Sequence, residues 1–279
     1  MLTHDHDQGR PEAIAPLILA EPQAYALFVD FDGTLADIAP SPELVTVEPS
    51  LPQDIIHLQD LLGGAMALVT GRRIAEVNRH LAPACLPGSG LHGLEFSSVP
   101  FGPAEAAGPA EQIGVGFPHA LFDSIVAITR GMTGVRLENK GPILSIHYRQ
   151  APEVASELAL KLARLLNEQS LGFHLKQGRA VYELIPNGTS KGTALTEIMR
   201  HPPFAGRRPI MIGDDLADEE AFAVARAANG WGLTVRGEHF RSGDESFGSA
   251  GEVRRWISAL AGVAAVRNNH MVSAAEARI

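Results

Sequence analysis

Two carboxylates, Asp30 and Asp32, stand directly after an uninterrupted apolar run, residues 24–29. Such a run is typical of a strand buried on both faces, so both carboxylates lie at its carboxyl end, where water is partly excluded. A hard cation such as Mg²⁺ would relieve their repulsion and leave positions open for water and a phosphate group. One carboxylate can then act as a nucleophile and the other as a proton shuttle. The alternative is a simple turn, because Asp, Gly and Thr all favour turns.

A second acidic cluster follows another apolar segment, residues 210–212, and contains Asp214, Asp215 and Asp218. In a parallel sheet this strand end faces the same way as the first, so we expect a second acidic contribution to the same metal site. The alternative is acidic enrichment in the first turn of a helix, which the helix dipole favours. That alternative explains the two glutamates after Asp218 better than it explains Asp214.

Two other segments carry groups that attract anions. Thr70-Gly71-Arg72 separates a strand-like run from a helix, and a hydroxyl beside free backbone N–H groups forms an anion cradle there. Lys191 begins a helix, where its ammonium would neutralise a phosphate; most lysines at such positions are only solvated. Neither a Gly-x-x-x-x-Gly-Lys-Ser/Thr loop nor Gly-x-Gly-x-x-Gly occurs, which excludes the two commonest nucleotide-binding motifs. Gly90-Leu91-His92-Gly93 is a turn, and a lone histidine of this kind is more often structural than ligand-binding.

The elements that would position these groups alternate between strand and helix. Strand-like runs at 24–29, 65–69, 209–212 and 231–235 are interleaved with helical patterns that begin near Ser50, Ile74, Lys191 and Asp218. This order predicts parallel pairing, right-handed crossovers and functional loops at the carboxyl ends of the strands. Residues 97–116 are rich in Pro, Gly, Ala and Ser, which predicts a linker or hinge.

After the linker the pattern becomes that of an α+β domain. Helical segments at 119–130 and 152–168 accompany strand-like runs at 135–138, 143–149, 173–176 and 180–185. The alternation in residues 144–149 suits an antiparallel sheet with one face packed. We therefore predict an α/β protein with a doubly wound parallel-sheet (Rossmann-like) core domain, an inserted smaller α+β cap domain and two tails. The expected bounds are 19–100 and 188–263 for the core, 101–187 for the cap, and 1–18 and 264–279 for the tails.

The amino-acid composition indicates which class of protein the chain belongs to and which kinds of partner it disfavours. The 279 residues are 45% hydrophobic and 20% charged, which is ordinary for a soluble globular chain. A net charge of -9 disfavours nucleic acid as a partner. The single cysteine, Cys85, permits no intramolecular disulfide and no thiolate metal site. The longest apolar stretch late in the chain, residues 257–266, is shorter than the roughly 20 residues that span a bilayer. No signal peptide is recognised, so we expect a cytoplasmic protein without a membrane partner.

Four motifs stand in the order and spacing found in the haloacid dehalogenase-like phosphatase superfamily: Asp30-Phe31-Asp32-Gly33-Thr34, Thr70, Lys191 and Gly213-Asp214-Asp215. The insertion resembles the large type of cap in that superfamily. Segments similar to the trehalose-6-phosphate phosphatase family are residues 138–141, 147–149 and 178–183 in the cap and 90–95 and 213–219 in the core. Thr70 stands where that family often has Ser, and Ala217 replaces a common Thr.

The resemblance implies a Mg²⁺-dependent phosphatase that acts on trehalose 6-phosphate, a small-molecule sugar phosphate, through an aspartyl-phosphate. It assigns nucleophilic attack to Asp30, and it assigns to Asp32 protonation of the departing sugar oxygen and activation of the hydrolytic water. Mg²⁺ would be held by Asp30, Asp214 and the backbone carbonyl of Asp32, with Asp215 and Asp218 in support.

The same resemblance implies the contacts to substrate. Thr70 and Lys191 would bind phosphoryl oxygens, and Arg72 is assigned to substrate binding. Contacts to sugar hydroxyls are assigned to three cap residues, Glu138, Lys140 and Glu183. Taken without the resemblance, Glu138 and Lys140 are the solvated i, i+2 positions of a strand edge, and His147 and Arg149 lie on an ordinary exposed face.

Two alternatives stay open. A related sugar phosphatase acting on sucrose phosphate or mannosylphosphoglycerate would share the core and differ in the cap. A non-catalytic subunit that binds a sugar phosphate belongs to another class, and the presence of both Asp30 and Asp32 argues against it, because a binding module needs no nucleophile beside a proton shuttle.

Overall fold

The computed structural model describes residues 9–40, 44–97, 111–112, 116–169, 172–178, 180–241, 243 and 245–276. Most of the predicted linker therefore lies outside the described residues. The chain divides into two compact units, a core unit (Met1–Glu111 with Ser190–Ile279) and an inserted unit (Gln112–Thr189). The expected boundary between residues 100 and 101 also falls outside the described part, and the other expected boundary lies two residues before Ser190.

The described elements follow the predicted alternation. In chain order the helices are α1 (Pro11–Ala20), α2 (Leu51–Leu61), α3 (Ile74–Leu81), α4 (His119–Thr129), α5 (Ala155–Gln169), α6 (Lys191–Ile198), α7 (Glu219–Ala227) and α8 (Ala250–Glu276). The strands are β1 (Tyr25–Val29), β2 (Met66–Val69), β3 (Gly88–Gly90), β4 (Glu95–Phe96), β5 (Glu111–Gln112), β6 (Arg136–Asn139), β7 (Leu144–His147), β8 (Phe173–Gly178), β9 (Val181–Pro186), β10 (Arg208–Gly213) and β11 (Trp231–Thr234). Within the described ranges, no helix combines the length and the apolarity needed to cross a membrane.

The core unit is built on a seven-stranded sheet in the order β11-β10-β1-β2-β3-β4-β5. Strand β1 pairs in parallel with both β10 and β2, and the pairs β10–β11 and β2–β3 are also parallel. Only at β3–β4, among the pairs with a described register, does the direction become antiparallel. Strands β1 and β2 are buried along their whole length because they lie in the middle of the sheet and carry apolar side chains on both faces. The predicted doubly wound α/β core is confirmed.

Part of each expected tail is helical. Helix α1 places Ile14 and Ile18 on one face, four residues apart, and both are fully buried in the core. Burying two side chains of this size contributes about 1.5–3 kcal/mol each, roughly 3–6 kcal/mol together, which offsets the roughly 3 kcal/mol that a proline such as Pro16 costs inside a helix. The indole N–H of Trp256 in α8 donates to the carbonyl of Pro11 at 3.0 Å. Helix α8 itself continues to Glu276.

The inserted unit is a four-stranded antiparallel sheet in the order β6-β7-β9-β8, accompanied by helices α4 and α5. Its core contains apolar side chains from β7 and β9 together with Leu121 and Ile125 of α4 and Leu158 and Leu162 of α5. Along the strands, polar side chains alternate with these apolar ones and therefore lie on the other face of the sheet, as predicted. Glu138, Ser145 and Glu183 therefore lie on the face opposite to these apolar side chains.

Candidate active site

Three carboxylates converge at the carboxyl ends of β1 and β10. Val29 pairs with Ile212, and the N–H of Asp30 donates to the Ile212 carbonyl at 2.9 Å, so the residues that follow these two strands are neighbours. One oxygen each of Asp30, Asp214 and Asp218 lies within 4.8 Å of the others, and all three residues are buried. The structure thus joins the two acidic clusters that the sequence predicts to meet.

Glycines allow this close approach. Gly33, with φ +77°, faces Asp214, and a Cβ atom there would lie 2.1 Å from Asp214 Oδ2. A Cβ atom on Gly213 would lie 2.2 Å from Cγ of Asp218. Any larger residue at either position would displace a carboxylate, so the two glycines of the motifs are required by the packing of the acids.

The carboxylates are difficult to ionise without a cation. Burial raises the pKa of Asp30 to about 7, an effect that Lys191 opposes and that Asp218 and Asp32 increase. Burial also raises the pKa of Asp214 to about 8, reinforced by Asp30 and Asp218. A cluster of buried oxygen ligands that repel one another fits a hard divalent cation, because the cation stabilises their ionised forms.

The side chain of Lys191 supplies a positive charge to this cluster of carboxylates. Lys191 starts α6, whose N-cap Ser190 forms a capping box with Thr193, and its side chain is 2% exposed. Lys191 Nζ lies 3.0 Å from Asp30 Oδ2 and 2.6 Å from Asp218 Oδ1. Burial disfavours the ammonium form, but these two carboxylates outweigh that effect and the pKa of Lys191 is raised. The lysine is therefore a buried charge between the expected nucleophile and a supporting acid.

Asp218 and Asp215 complete the turn between β10 and α7. The second oxygen of Asp218, Oδ2, accepts the N–H of Asp215 at 3.1 Å. Asp215 is partly exposed and accepts the N–H of Leu216 at 2.7 Å. Asp218 thus binds Lys191 and the backbone at once, whereas Asp215 shapes the turn.

Asp32 is held by Arg72. The guanidinium donates from Nε to Asp32 Oδ2 at 2.6 Å and from Nη2 to Asp32 Oδ1 at 2.9 Å, and it also donates to Glu76. Burial disfavours the charge of Arg72, but the two carboxylates raise its pKa. Sequence reasoning assigns Arg72 to substrate and does not identify Glu76; the only signal for Glu76 is its i, i+4 spacing from Arg72.

Thr70 follows β2 and is buried. Its Oγ1 accepts the N–H of Arg72 at 3.2 Å, which closes a tight turn before α3. The turn therefore orients both the hydroxyl and the guanidinium that the sequence analysis places at this strand end.

In the inserted unit, a row of polar side chains crosses the sheet. The register pairs Ser145 with Glu138 on one side and with Glu183 on the other, and pairs Glu183 with Lys176. Glu183 is buried; its Oε1 accepts from Lys140 Nζ at 3.0 Å and from Ser145 Oγ at 2.7 Å. Sequence reasoning does not identify Ser145, although the alternation of β7 places it on the polar face.

Glu138 belongs to the same row. Its Oε2 lies 2.8 Å from His147 Nε2, and this hydrogen bond lowers the pKa of Glu138, with a further contribution from Lys140. The structure thus brings the three predicted sugar-binding residues onto one face of one sheet, where charged donors and acceptors alternate.

The comparisons with known proteins agree with the motifs. A model of the trehalose-phosphatase family matches residues 28–249. A relative from Sinorhizobium fredii (strain NBRC 101917 / NGR234), named "Probable trehalose-phosphate phosphatase", is 38% identical over 211 residues, which are 76% of this chain and 77% of the relative. The trehalose-6-phosphate phosphatase of Escherichia coli (strain K12) is 36% identical over 215 residues, which are 76% of this chain and 77% of that protein.

Solved structures show the same fold. The C-terminal domain of C. albicans trehalose-6-phosphate phosphatase superposes with a TM-score of 0.70 at 20% identity, covering 89% of this chain and 96% of that one. BT1666 of Bacteroides thetaiotaomicron, described as a phosphatase of the haloalkanoate (HAD) enzyme superfamily, gives a TM-score of 0.57 at 16% identity and covers 85% of this chain and 94% of that one. The family resemblance seen in the motifs is confirmed, and the chain belongs to the trehalose-phosphatase family.

Proposed function

We propose that this chain hydrolyses trehalose 6-phosphate to trehalose and inorganic phosphate through a phosphoaspartate on Asp30. The observation that carries the proposal is the position of Asp30, buried at a strand end within 3.0 Å of Lys191 Nζ and beside Asp214. A carboxylate so placed is a nucleophile whose charge is maintained by a cation, and relatives named for this activity are 36–38% identical to the chain.

The first step is attack by a carboxylate oxygen of Asp30 on phosphorus. The bond between phosphorus and the sugar oxygen breaks, and that oxygen receives a proton from Asp32. In the second step Asp32 takes a proton from a water molecule, the water oxygen attacks the phosphoaspartate, and inorganic phosphate leaves with Asp30 regenerated. Lys191 supports the first step because its charge favours the ionised form of Asp30, which burial disfavours.

Asp32 must change partners during this cycle. Both of its oxygens accept hydrogen bonds from Arg72, so at least one of these bonds must open before Asp32 can give a proton to the leaving oxygen. Glu76 also binds Arg72 and keeps the guanidinium in place while Asp32 moves. Arg72 then has donors available for the phosphoryl group, and Thr70 at the same turn supplies a hydroxyl.

We infer that the cation is Mg²⁺, held by Asp30, Asp214 and the backbone carbonyl of Asp32, with Asp215 and Asp218 in support. The support for this inference is the all-oxygen donor set and the repulsion among its buried members. When bound, the ion would neutralise charge on the phosphoryl oxygens and offset the repulsion among the carboxylates.

Recognition of the sugar is proposed for the polar face of the inserted unit. Glu138, Lys140 and Glu183 present charged acceptors and donors, which suit the many hydroxyls of a neutral disaccharide. A phosphatase for sucrose phosphate or mannosylphosphoglycerate is the alternative substrate assignment, and a non-catalytic sugar-phosphate-binding subunit is the alternative class.

Phosphate release from trehalose 6-phosphate is the direct test. We expect release that depends on Mg²⁺ and is abolished by a chelator. The kcat/KM for trehalose 6-phosphate is expected to be about a hundredfold or more above that for sucrose 6-phosphate, glucose 6-phosphate and an aryl phosphate. The reason is that a site built to bind hydroxyls rejects substrates that leave its polar groups unpaired. Preferential release from another sugar phosphate would overturn the substrate assignment. Release from none of them would favour the binding subunit.

Replacing Glu183 with Ala is expected to raise KM for trehalose 6-phosphate by about ten- to hundredfold, since hydrogen bonds to charged groups contribute about 1.5–3 kcal/mol. The KM for an aryl phosphate is expected to change little because it has no sugar hydroxyls. Glu183→Gln is the matched control: it keeps an acceptor for Ser145 and should show a smaller loss. Equal losses on both substrates would place Glu183 outside the sugar site.

A further inference from the structure

The segment Gly90–Glu95 adopts a costly backbone conformation directly beside the phosphoryl site. Leu91 and His92 have φ values of 50° and 55°, a region that residues with a Cβ atom rarely adopt. The N–H of Leu91 donates to the carbonyl of Arg72 at 3.1 Å, and the N–H of His92 donates to the carbonyl of Thr70 at 3.1 Å. The strained residues are therefore bonded to the turn that carries the anion-binding groups.

The side chain of His92 packs on the same turn. It is buried, and a Cβ atom added to Gly71 would lie 2.6 Å from His92 Nε2 and 2.8 Å from His92 Cε1. The imidazole thus occupies the space beside Gly71 and packs against the turn.

Glu95 fixes the other end of the turn. Its carboxylate is buried, and Oε2 accepts the N–H of Ile74, the first residue of α3, at 3.1 Å. Arg73, the N-cap of α3, makes no side-chain capping bond. Glu95, which lies on β4, therefore supplies the cap that the N-cap residue itself does not provide. Gly90 is required for this contact because a Cβ atom there would lie 2.6 Å from Glu95 Oε2.

The same segment reaches the helix that carries Lys191. Gly93 has φ +104°, and a Cβ atom there would lie 2.7 Å from the carbonyl oxygen of Ser190, the N-cap of α6. A single stretch of six residues, Gly90–Glu95, therefore contacts both the Thr70 turn and the start of α6.

We propose that Glu95 and His92 are positioning residues of the phosphoryl site, and that the segment Gly90–Glu95 sets the separation between the Thr70 hydroxyl and the Lys191 ammonium. Neither side chain touches the reacting atoms in this scheme. They act through the turn and the helix start, as a rigid support for two anion-binding groups that belong to different elements. The inference rests on the proposed phosphatase function.

Glu95→Ala tests the proposal through the inhibition constant of inorganic phosphate, measured with an aryl phosphate as substrate. We expect this constant to rise about tenfold and kcat/KM to fall by ten- to hundredfold, since small displacements of binding groups have effects of this size. Glu95→Gln retains an acceptor for the Ile74 N–H and should recover most of the loss. Glu252→Ala, which removes a carboxylate bonded to the Gly248 N–H at α8, is the control and should leave both constants unchanged. An unchanged phosphate constant in a folded Glu95→Ala protein would overturn the proposal.

A second pair of variants applies if Glu95→Ala does not fold. Gly71→Ala is expected to raise the inhibition constant of inorganic phosphate, because the Cβ atom of the alanine collides with His92. His92→Asn removes the ring that packs beside Gly71 and tolerates the positive φ, so this variant should also raise the inhibition constant of inorganic phosphate. An unchanged inhibition constant in a folded His92→Asn protein would show that His92 does not position the turn. If the wild-type protein releases phosphate from the aryl phosphate and not from trehalose 6-phosphate, the substrate assignment fails and this test remains valid.

Discussion

Asp30→Asn is expected to lower phosphate release from trehalose 6-phosphate by about 10⁴-fold or more, the size of effect seen when a nucleophile is removed. The amide cannot attack phosphorus, and it is a poorer ligand for a divalent cation. The neighbouring groups remain, so the loss is expected in kcat more than in KM. The measurement is single-turnover and steady-state release of phosphate with saturating Mg²⁺.

The same substitution is expected to leave the fold intact. Asp30 is buried and repelled by Asp218 and Asp32, and its pKa is raised to about 7 from an ordinary value of 3.8. Between these two pH values the folded protein retains a proton that the unfolded chain loses, so in metal-free buffer the wild-type free energy of unfolding falls as the pH rises through this window. Asp30→Asn lacks this contribution and should show a flatter pH dependence of stability.

Asp37→Asn is the matched control for the measurement of turnover. Asp37 lies on the same segment after β1, is exposed, and pairs with Arg254 at 3.0 Å. Its loss is expected to leave turnover unchanged, because the side chain is exposed and is not part of the buried acidic cluster. Undiminished hydrolysis by Asp30→Asn would exclude the phosphoaspartate mechanism.

Lys191→Met is expected to lower both stability and activity. Removing one partner of a buried ion pair leaves an uncompensated charge and costs about 3–5 kcal/mol. Here two carboxylates, Asp30 and Asp218, lose their common cation. Activity is expected to fall about 10³-fold because the nucleophile is less ionised and the phosphoryl group loses a cation. Chemical denaturation in a chelating buffer measures the first effect, and turnover with Mg²⁺ measures the second.

The destabilisation by Lys191→Met should depend on pH. Without the ammonium the buried carboxylates hold their protons to higher pH, so the variant is closest to the wild type at pH 5 and furthest from it at pH 8. Lys161→Met is the control, since Lys161 pairs with Glu157 on the exposed side of α5 and such pairs contribute about 1 kcal/mol or less. A loss of stability no larger than that of the control would show that Lys191 does not balance the acidic cluster.

The meeting of Asp30 with Asp214 follows from local sequence. Each acid directly follows a run of apolar residues, and such runs form central strands of a parallel sheet because both of their faces must be buried. Parallel strands share one carboxyl edge, so the order of elements places both motifs at that edge. That β1 and β10 are adjacent strands is shown by the structure. The alternation of β7 likewise predicts which of its side chains share the polar face of the inserted unit.

Helix α1 was not predictable in the same way. Its pattern is ten residues long and contains Pro16, and what stabilises it is burial of Ile14 and Ile18 against elements far away in the chain. Local propensity is a weak guide wherever tertiary burial contributes more than propensity does.

The partners of the charged groups were decided by tertiary structure alone. The order of motifs predicts that Lys191 and Arg72 lie near one edge of the sheet, but it does not say that Lys191 binds Asp30 and Asp218 or that Arg72 holds Asp32. It assigns no position to Glu95, which the structure shows capping α3. These pairs join residues 21 to 161 positions apart. Which carboxylate meets which cation depends on shifts of a few ångströms and on how much water each group loses, because a buried charge is stable only beside a partner that replaces its hydration.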